Sequence, residues 1–224
     1  MIPIGDSVPS RSFSYVNYSL IVANVVVFFY ELSLSAPLEL NRFIVEWGVV
    51  PRELTAFFRD PSGETADVLV TPFTAMFLHG GWFHLLGNML FLWVFGDNVE
   101  DAMGHIRYLA FYILGGLGAT TLQVYFDSGS PAPMIGASGA IAGVLGAYLV
   151  LYPMAYVLVL VVFFPFAVPA VVMIGSWFLI QLLNGIATVG YAVGAAGGVA
   201  WWAHVGGFGS GLVLVGVFRR RRPA

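Results

Sequence analysis

An all-α bundle of six transmembrane helices is the fold class this sequence predicts, and three observations predict it. Hydrophobic residues make up 59% of the 224 residues and charged ones only 9%, with a mean hydropathy of +0.87, whereas a soluble domain is about a quarter charged. The apolar residues come in runs of about 20, the length that crosses a hydrocarbon core at about 1.5 Å per residue. The stretch 128–218 contains no Asp, Glu, Lys or Arg, which leaves room for about three spans. With three more upstream, the count is six. Cysteine is absent, which excludes disulfides, thiolate metal sites and a cysteine nucleophile. The net charge of −3 says little about partners, because here the position of each charge matters more than the sum.

Residues 1–17 read as a short, loose cytoplasmic terminus. The first span is 18–34, apolar apart from Asn24, its serines and Glu31. A cleaved signal peptide is the rival reading, since Ser33-Leu34-Ser35-Ala36 resembles a small-residue cleavage site, but the segment before it lacks a basic cluster. Glu31 reads as an interfacial carboxylate near the end of the span. Residues 37–81 mix charges of both signs with Trp47, Phe57, Phe58 and Phe73, the pattern of a structured, half-immersed loop. Within it, 38–47 has helical spacing, with Leu40, Phe43, Ile44 and Trp47 on one face. Pro51, Pro61-Ser62-Gly63 and Pro72 interrupt any regular element in the rest of the loop.

The second span opens within His79-Gly80-Gly81-Trp82-Phe83-His84-Leu85-Leu86-Gly87-Asn88-Met89 and runs to about Gly96-Asp97. Starting near Trp82, it puts His84 and Asn88 one turn apart on one face, just inside the bilayer. Burying an imidazole and an amide there costs energy unless each is hydrogen-bonded or faces a wet cavity. Polar bonding between helices is the bland alternative. Asp97, Glu100, Asp101, His105 and Arg107 form the next polar connection, and 108–126 is the third span. Breaks at Tyr152-Pro153 and within 184–198 divide the uncharged stretch into the fourth, fifth and sixth spans, with Pro165 and Pro169 in the fifth.

Two motifs in that stretch carry chemistry. In Gly136-Ala137-Ser138-Gly139, a serine in a tight glycine turn runs straight into an apolar helix. Unpaired N–H groups and the helix dipole at such a terminus can stabilise an oxyanion. Gly139, Gly143 and Ala147 are also what any close-packed membrane helix shows. In Ala203-His204-Val205-Gly206-Gly207, the histidine stands beside a stripe of Ala203, Gly207 and Gly211. Two small-residue stripes let backbones approach closely enough to bring the Ser138 hydroxyl to His204. Facing that serine, the imidazole reads as a general base.

Arg219-Arg220-Arg221-Arg222 comes directly after the last span, and by the positive-inside rule it puts the C-terminus (219–224) in the cytoplasm. The run abuts a span, so we do not read it as a nucleic-acid patch. Counting back, the N-terminus is cytoplasmic and 37–81 lies outside. His84, Asn88, Ser138 and, about 9 Å inward from Gly198, His204 are then expected at one depth.

These motifs, over six spans from 18 to 222, resemble the rhomboid family of intramembrane serine proteases. The resemblance implies a Ser138–His204 dyad with no third carboxylate. It implies His84 and Asn88 assisting the Ser138 backbone N–H at the oxyanion, and His79, Gly136, Gly139 and Gly207 as structural neighbours. It also implies single-span membrane proteins as substrates, admitted past the fifth span and the loop 184–197, and a site reached by water from outside a plasma membrane. No metal or cofactor is required, and the oligomeric state is open.

Two departures stand out. Some members carry a tyrosine four residues after the serine, where this chain has Ala142. A Trp-Arg pair found in the outer loop of some is absent, with Val70-Thr71-Pro72 in its approximate place. Three rivals are a catalytically inactive rhomboid-like binding protein, a transporter and a metalloprotease. The first usually lacks the serine or histidine. The second would carry intramembrane acids, and the third a His-Glu-x-x-His motif.

Overall fold

In the computed structural model, which describes residues 1–34, 36–62, 65–189 and 199–220, the chain begins with strand β1 (Ile2–Asp6) and helix α1 (Tyr15–Ser33). Then come α2 (Pro37–Trp47), α3 (Pro51–Arg59), a 3-10 turn (Ala66–Leu69), α4 (Thr71–Thr74) and a second 3-10 turn (Ala75–Phe77). Helices α5 (Trp82–Met103), α6 (His105–Phe126) and α7 (Ser138–Leu151) lead to strands β2 (Tyr156–Val161) and β3 (Phe164–Pro169), then to α8 (Ala170–Thr188) and α9 (Trp201–Phe218). The looser part of the loop expected over 184–197, the start of the last span near Gly198, and Arg221-Arg222 lie outside the described residues.

Among the described residues, four helices, α1, α6, α8 and α9, are long and apolar enough to cross a membrane. The other two expected spans fall short of that measure for separate reasons. Helix α5 has 22 residues, but it absorbs Asp97, Glu100 and Asp101, which the sequence pattern assigns to a connection. Only Gly104, at φ 84°, separates it from α6. Helix α7 has 14 residues, about 21 Å at the usual rise, against a hydrocarbon core of about 30 Å. It is enclosed by α5, α6, α8 and α9, and every residue from Gly139 to Tyr148 is buried. A helix that meets protein on all sides need not match the lipid thickness.

The chain is mostly helical but not all-α. Strands β1, β2 and β3 form an antiparallel sheet in that order. Residues 156–169, expected inside the fifth span, are its hairpin. Tyr156-Val157-Leu158-Val159-Leu160-Val161 is a short β-branched and aromatic run that apolarity alone cannot separate from a helix. Pro165 and Pro169 lie in β3, an edge strand, where a missing N–H does no harm. The N-terminal residues, expected to be loose, pair through β1 with β2. Asp6 accepts a hydrogen bond from the Tyr148 hydroxyl at 2.5 Å.

At this end of the bundle the Glu100 carboxylate, 0% exposed, accepts the N–H groups of Val16 (3.1 Å) and Asn17 (2.7 Å) in the first turn of α1. A carboxylate there satisfies orphan donors and complements the helix dipole. The opposite end carries the start of α5, α7 and α9 together with the elements of 37–81.

Helices α7 and α9 touch through their small residues. A methyl on Gly207 would overlap the Gly139 carbonyl, with its carbon at 2.9 Å. One on Gly211 would stand 2.8 Å from Gly143 Cα. Gly207→Ala is therefore expected to force the helices apart and cost about 1–3 kcal/mol, read as a lowered unfolding temperature in detergent. Gly216→Ala, where a methyl meets nothing within 4 Å, serves as the silent control.

Candidate active site

The chain enters α7 along a path held by the segment 37–81. Val49 and Met134 exchange backbone hydrogen bonds at 3.0 and 2.7 Å, the Arg52 N–H reaches the Ser130 carbonyl at 3.0 Å, and the Gly136 N–H reaches the Ala75 carbonyl at 2.8 Å. Gly136 has φ 122°, outside the range L side chains adopt readily. A Cβ there would also stand 2.7 Å from His84 Nε2. With Ala137 fully buried, the turn sets Ser138 at the first position of α7. By helix geometry the N–H groups of Ser138, Gly139 and Ala140 have no intrahelical acceptor.

Opposite, on the first turn of α9, His204 Nε2 lies 2.8 Å from Ser138 Oγ. The ring's other nitrogen, Nδ1, lies 2.8 Å from the side-chain oxygen of Gln181 on α8. Trp177 and Trp201 flank the imidazole, with ring centroids 5.8 and 6.4 Å away. Ala142, buried on α7, supplies no ring; the aromatic neighbours come from α8 and α9 instead.

His84 borders the same space. Its Nδ1 accepts the Gly80 N–H at 3.3 Å, so in the neutral ring the proton sits on Nε2, the atom beside Gly136. One turn further along α5, Asn88 is 7% exposed, and its Nδ2 has no acceptor among the described residues. Leaving a buried amide N–H without a partner costs about 1–3 kcal/mol, which makes Asn88 a candidate donor to a bound group. His84, Ser138 and His204 line one cavity of about 620 Å³ together with Phe83, Ile135 and Ala200. A larger one, about 1130 Å³, lies at the sheet end among Gly104, Arg107, Arg219 and Arg220, far from the serine.

His79 is 3% exposed and stands edge-on to His84 with ring centroids 5.0 Å apart. Its backbone N–H meets both oxygens of Glu31 at 3.2 Å. Glu31 is thus not the interfacial carboxylate expected from its place near the end of α1: it is 3% exposed and ties α1 to the approach of α5. Burial, and next the nearby His84, push the His79 imidazole down to about 4 from its ordinary 6.5.

Sequence reasoning missed Gln181 and Gln123. Gln123 on α6 accepts the Ala203 N–H at 3.1 Å and so caps the first turn of α9 beside His204. Both are amides in apolar helices, the signal that singled out Asn88, and the cost of burying them was available in the same way.

Residues 67–221 match the Rhomboid domain family, and the chain belongs to the rhomboid family. It is similar to the rhomboid protease AarA of Providencia stuartii, 28% identical over 208 residues, 84% of this chain and 67% of that protein. It is 34% identical over 130 residues to the rhomboid protease GluP of Bacillus subtilis, 58% of this chain and 23% of that protein. With RHOMBOID-like protein 1 of Arabidopsis thaliana it shares 32% over 153 residues, 65% of this chain and 33% of that protein. The chain spans a third or less of the length of the plant relatives it matches. Family and apolar helices together make it a membrane protein.

The neutral His79 sets a pH dependence. An unfolded histidine takes a proton near pH 6.5 while the folded one resists until about 4, so between those values the unfolded state binds more protons and stability falls as pH falls. Unfolding temperatures measured from pH 7 to 4 are expected to drop more for the wild type than for His79→Phe.

Proposed function

We propose that this protein is an intramembrane serine endopeptidase that cleaves peptide bonds in or near the transmembrane segment of single-span substrates. The observation that carries the proposal is the 2.8 Å contact between Ser138 Oγ and His204 Nε2 at the mouth of a cavity where a carbonyl can lie. Relatives whose names describe them as rhomboid proteases support the same reading.

In the acylation step Ser138 Oγ attacks the scissile carbonyl carbon and gives its proton to His204 Nε2. The oxyanion meets the Ser138 N–H at the α7 terminus, the Nε2–H of His84 and the unclaimed Nδ2–H of Asn88. The tetrahedral adduct collapses as His204 returns the proton to the leaving nitrogen, the C–N bond breaks and an acyl-Ser138 ester remains. Water then attacks that ester, giving a proton to His204. Ser138 leaves with the proton back on Oγ, and the second product is a carboxylate.

The site lies at the end opposite the β1–β2 sheet and the Arg219-Arg220 end of α9. With arginines inside, it opens to the outer face of a plasma membrane, the termini are cytoplasmic, and α5 and α7 complete a six-helix bundle. Substrates reach it from the bilayer beside α8, whose Leu179, Ile180, Leu183 and Ile186 face outward.

A serine-directed fluorophosphonate in native membranes tests the assignment. Wild type is expected to label and to cut a single-span test substrate, while Ser138→Ala and His204→Ala do neither, with losses on the order of a thousandfold or more. Asn88→Ala is expected to keep labelling but lose about tenfold to a thousandfold in kcat. Label on wild type and on Ser138→Ala alike would instead leave a rhomboid-like binding factor as the better description.

A further inference from the structure

A serine and a histidine account for only one of the two imidazole nitrogens. For Nε2 to take a proton, the ring hydrogen must sit on Nδ1, and unless something accepts it the ring can hold the other tautomer or turn over. In this chain 128–218 holds no carboxylate to do so.

We propose that Gln181 is the positioning residue of this site, its side-chain oxygen accepting the Nδ1–H of His204 and so fixing the tautomer in which Nε2 is free for Ser138. The inference rests on the protease reading above and adds a residue on a third helix to it. The two ring nitrogens each have one partner at 2.8 Å, Gln181 Oε1 on one side and Ser138 Oγ on the other. The amide is itself held in one orientation, because its Nε2 donates to the Trp177 carbonyl one turn back at 3.2 Å. With the nitrogen so engaged, the oxygen faces the imidazole. An amide oxygen only accepts, so the ring hydrogen lies on Nδ1 and the Nε2 lone pair points at the hydroxyl.

Gln181 is 6% exposed, so losing either bond would strand a buried polar atom. The position thus resists both rotation of the amide and flipping of the ring. His84 on α5 lines the same cavity, but this second imidazole cannot stand in for the acceptor while its own Nδ1 is taken by Gly80.

Gln181→Met, close in volume but without the acceptor, and Gln181→Glu, which restores one, test the role in proteoliposomes with a single-span substrate. Gln181→Met is expected to lower kcat and the fluorophosphonate labelling rate together, on the order of tenfold to a hundredfold. KM is expected to stay within about twofold, because the amide acts through the base and not on the substrate. Gln181→Glu is expected to recover much of the rate and to move the acidic limb of the pH–rate profile upward, since a carboxylate on Nδ1–H favours the protonated ring. Nitrogen-15 spectra of histidine-labelled wild type should show His204 protonated on Nδ1.

Labelling of Gln181→Met at the wild-type rate, or a wild-type His204 protonated on Nε2, overturns the inference. The wild-type spectrum decides alone if Gln181→Met does not fold. Label that requires Ser138 and His204 but ignores Gln181 defeats only this inference, whereas label that survives Ser138→Ala defeats the protease reading beneath it.

Discussion

The closeness of α7 to α9 is the constraint on which the site depends. Ser138 and His204 sit on different helices, and neither side chain is long, so the hydroxyl reaches the ring only because the backbones beneath nearly touch. Gly207 and Gly211 lie against the carbonyls of Gly139 and Gly143 at separations where a Cβ would overlap. In lipid, apolar side chains gain little by leaving one apolar medium for another, so such packing draws on dispersion and on the absence of side-chain bulk. The glycines therefore set the 2.8 Å contact from a distance, without any polar role.

Polar groups then divide between the two ends of the bundle. At the sheet end Glu100 caps α1, and Asn17 is held by Tyr108 at 2.9 Å and by the Leu92 carbonyl at 3.0 Å. These bonds satisfy the buried groups they join. At the other end several groups remain open: the first N–H groups of α7, the Nε2 of His84 and the amide of Asn88. Unclaimed donors held on helix termini suit the proposed oxyanion site, because donors fixed in advance need not reorganise when charge develops.

Much of this was legible in the sequence, for reasons that can be assigned to residues. Ser138, His204, His84 and Asn88 stood out because a polar atom in an apolar helix needs a partner, and their positions along each span suggested one level. Gln181 and Gln123 obeyed the same rule and were overlooked, since an amide resembles ordinary helix-bridging polarity until its partner is known. Glu31 looked interfacial by its distance from the span end. The chain around it folds back through His79, which sequence distance does not reveal. The sheet was hidden by composition: Tyr156-Val157-Leu158-Val159-Leu160-Val161 is as apolar as any span, and only Pro165 and Pro169 hinted that the helix begins at Ala170. The pairing of β1 with β2 joins residues more than 150 positions apart, and no local pattern announces it.

The chemical character of the third partner is set by its surroundings. A carboxylate behind the imidazole would add negative charge to a region walled by apolar helices, where the cost of desolvating an ion is several kcal/mol unless further donors satisfy it. Each such donor would need its own polar side chain in the bilayer. An amide supplies an acceptor of the same reach at a lower cost, because it stays neutral and its own nitrogen is satisfied by a backbone carbonyl of its helix. The chain of bonds from Ser138 through His204 and Gln181 to Trp177 thus crosses α7, α9 and α8 without a formal charge. What it gives up is electrostatic support for the protonated ring. Since α8 carries the amide while α9 carries the imidazole, the ring stays set only while those two helices remain in contact, through Trp177 and through Phe178 stacked 4.2 Å from Phe208.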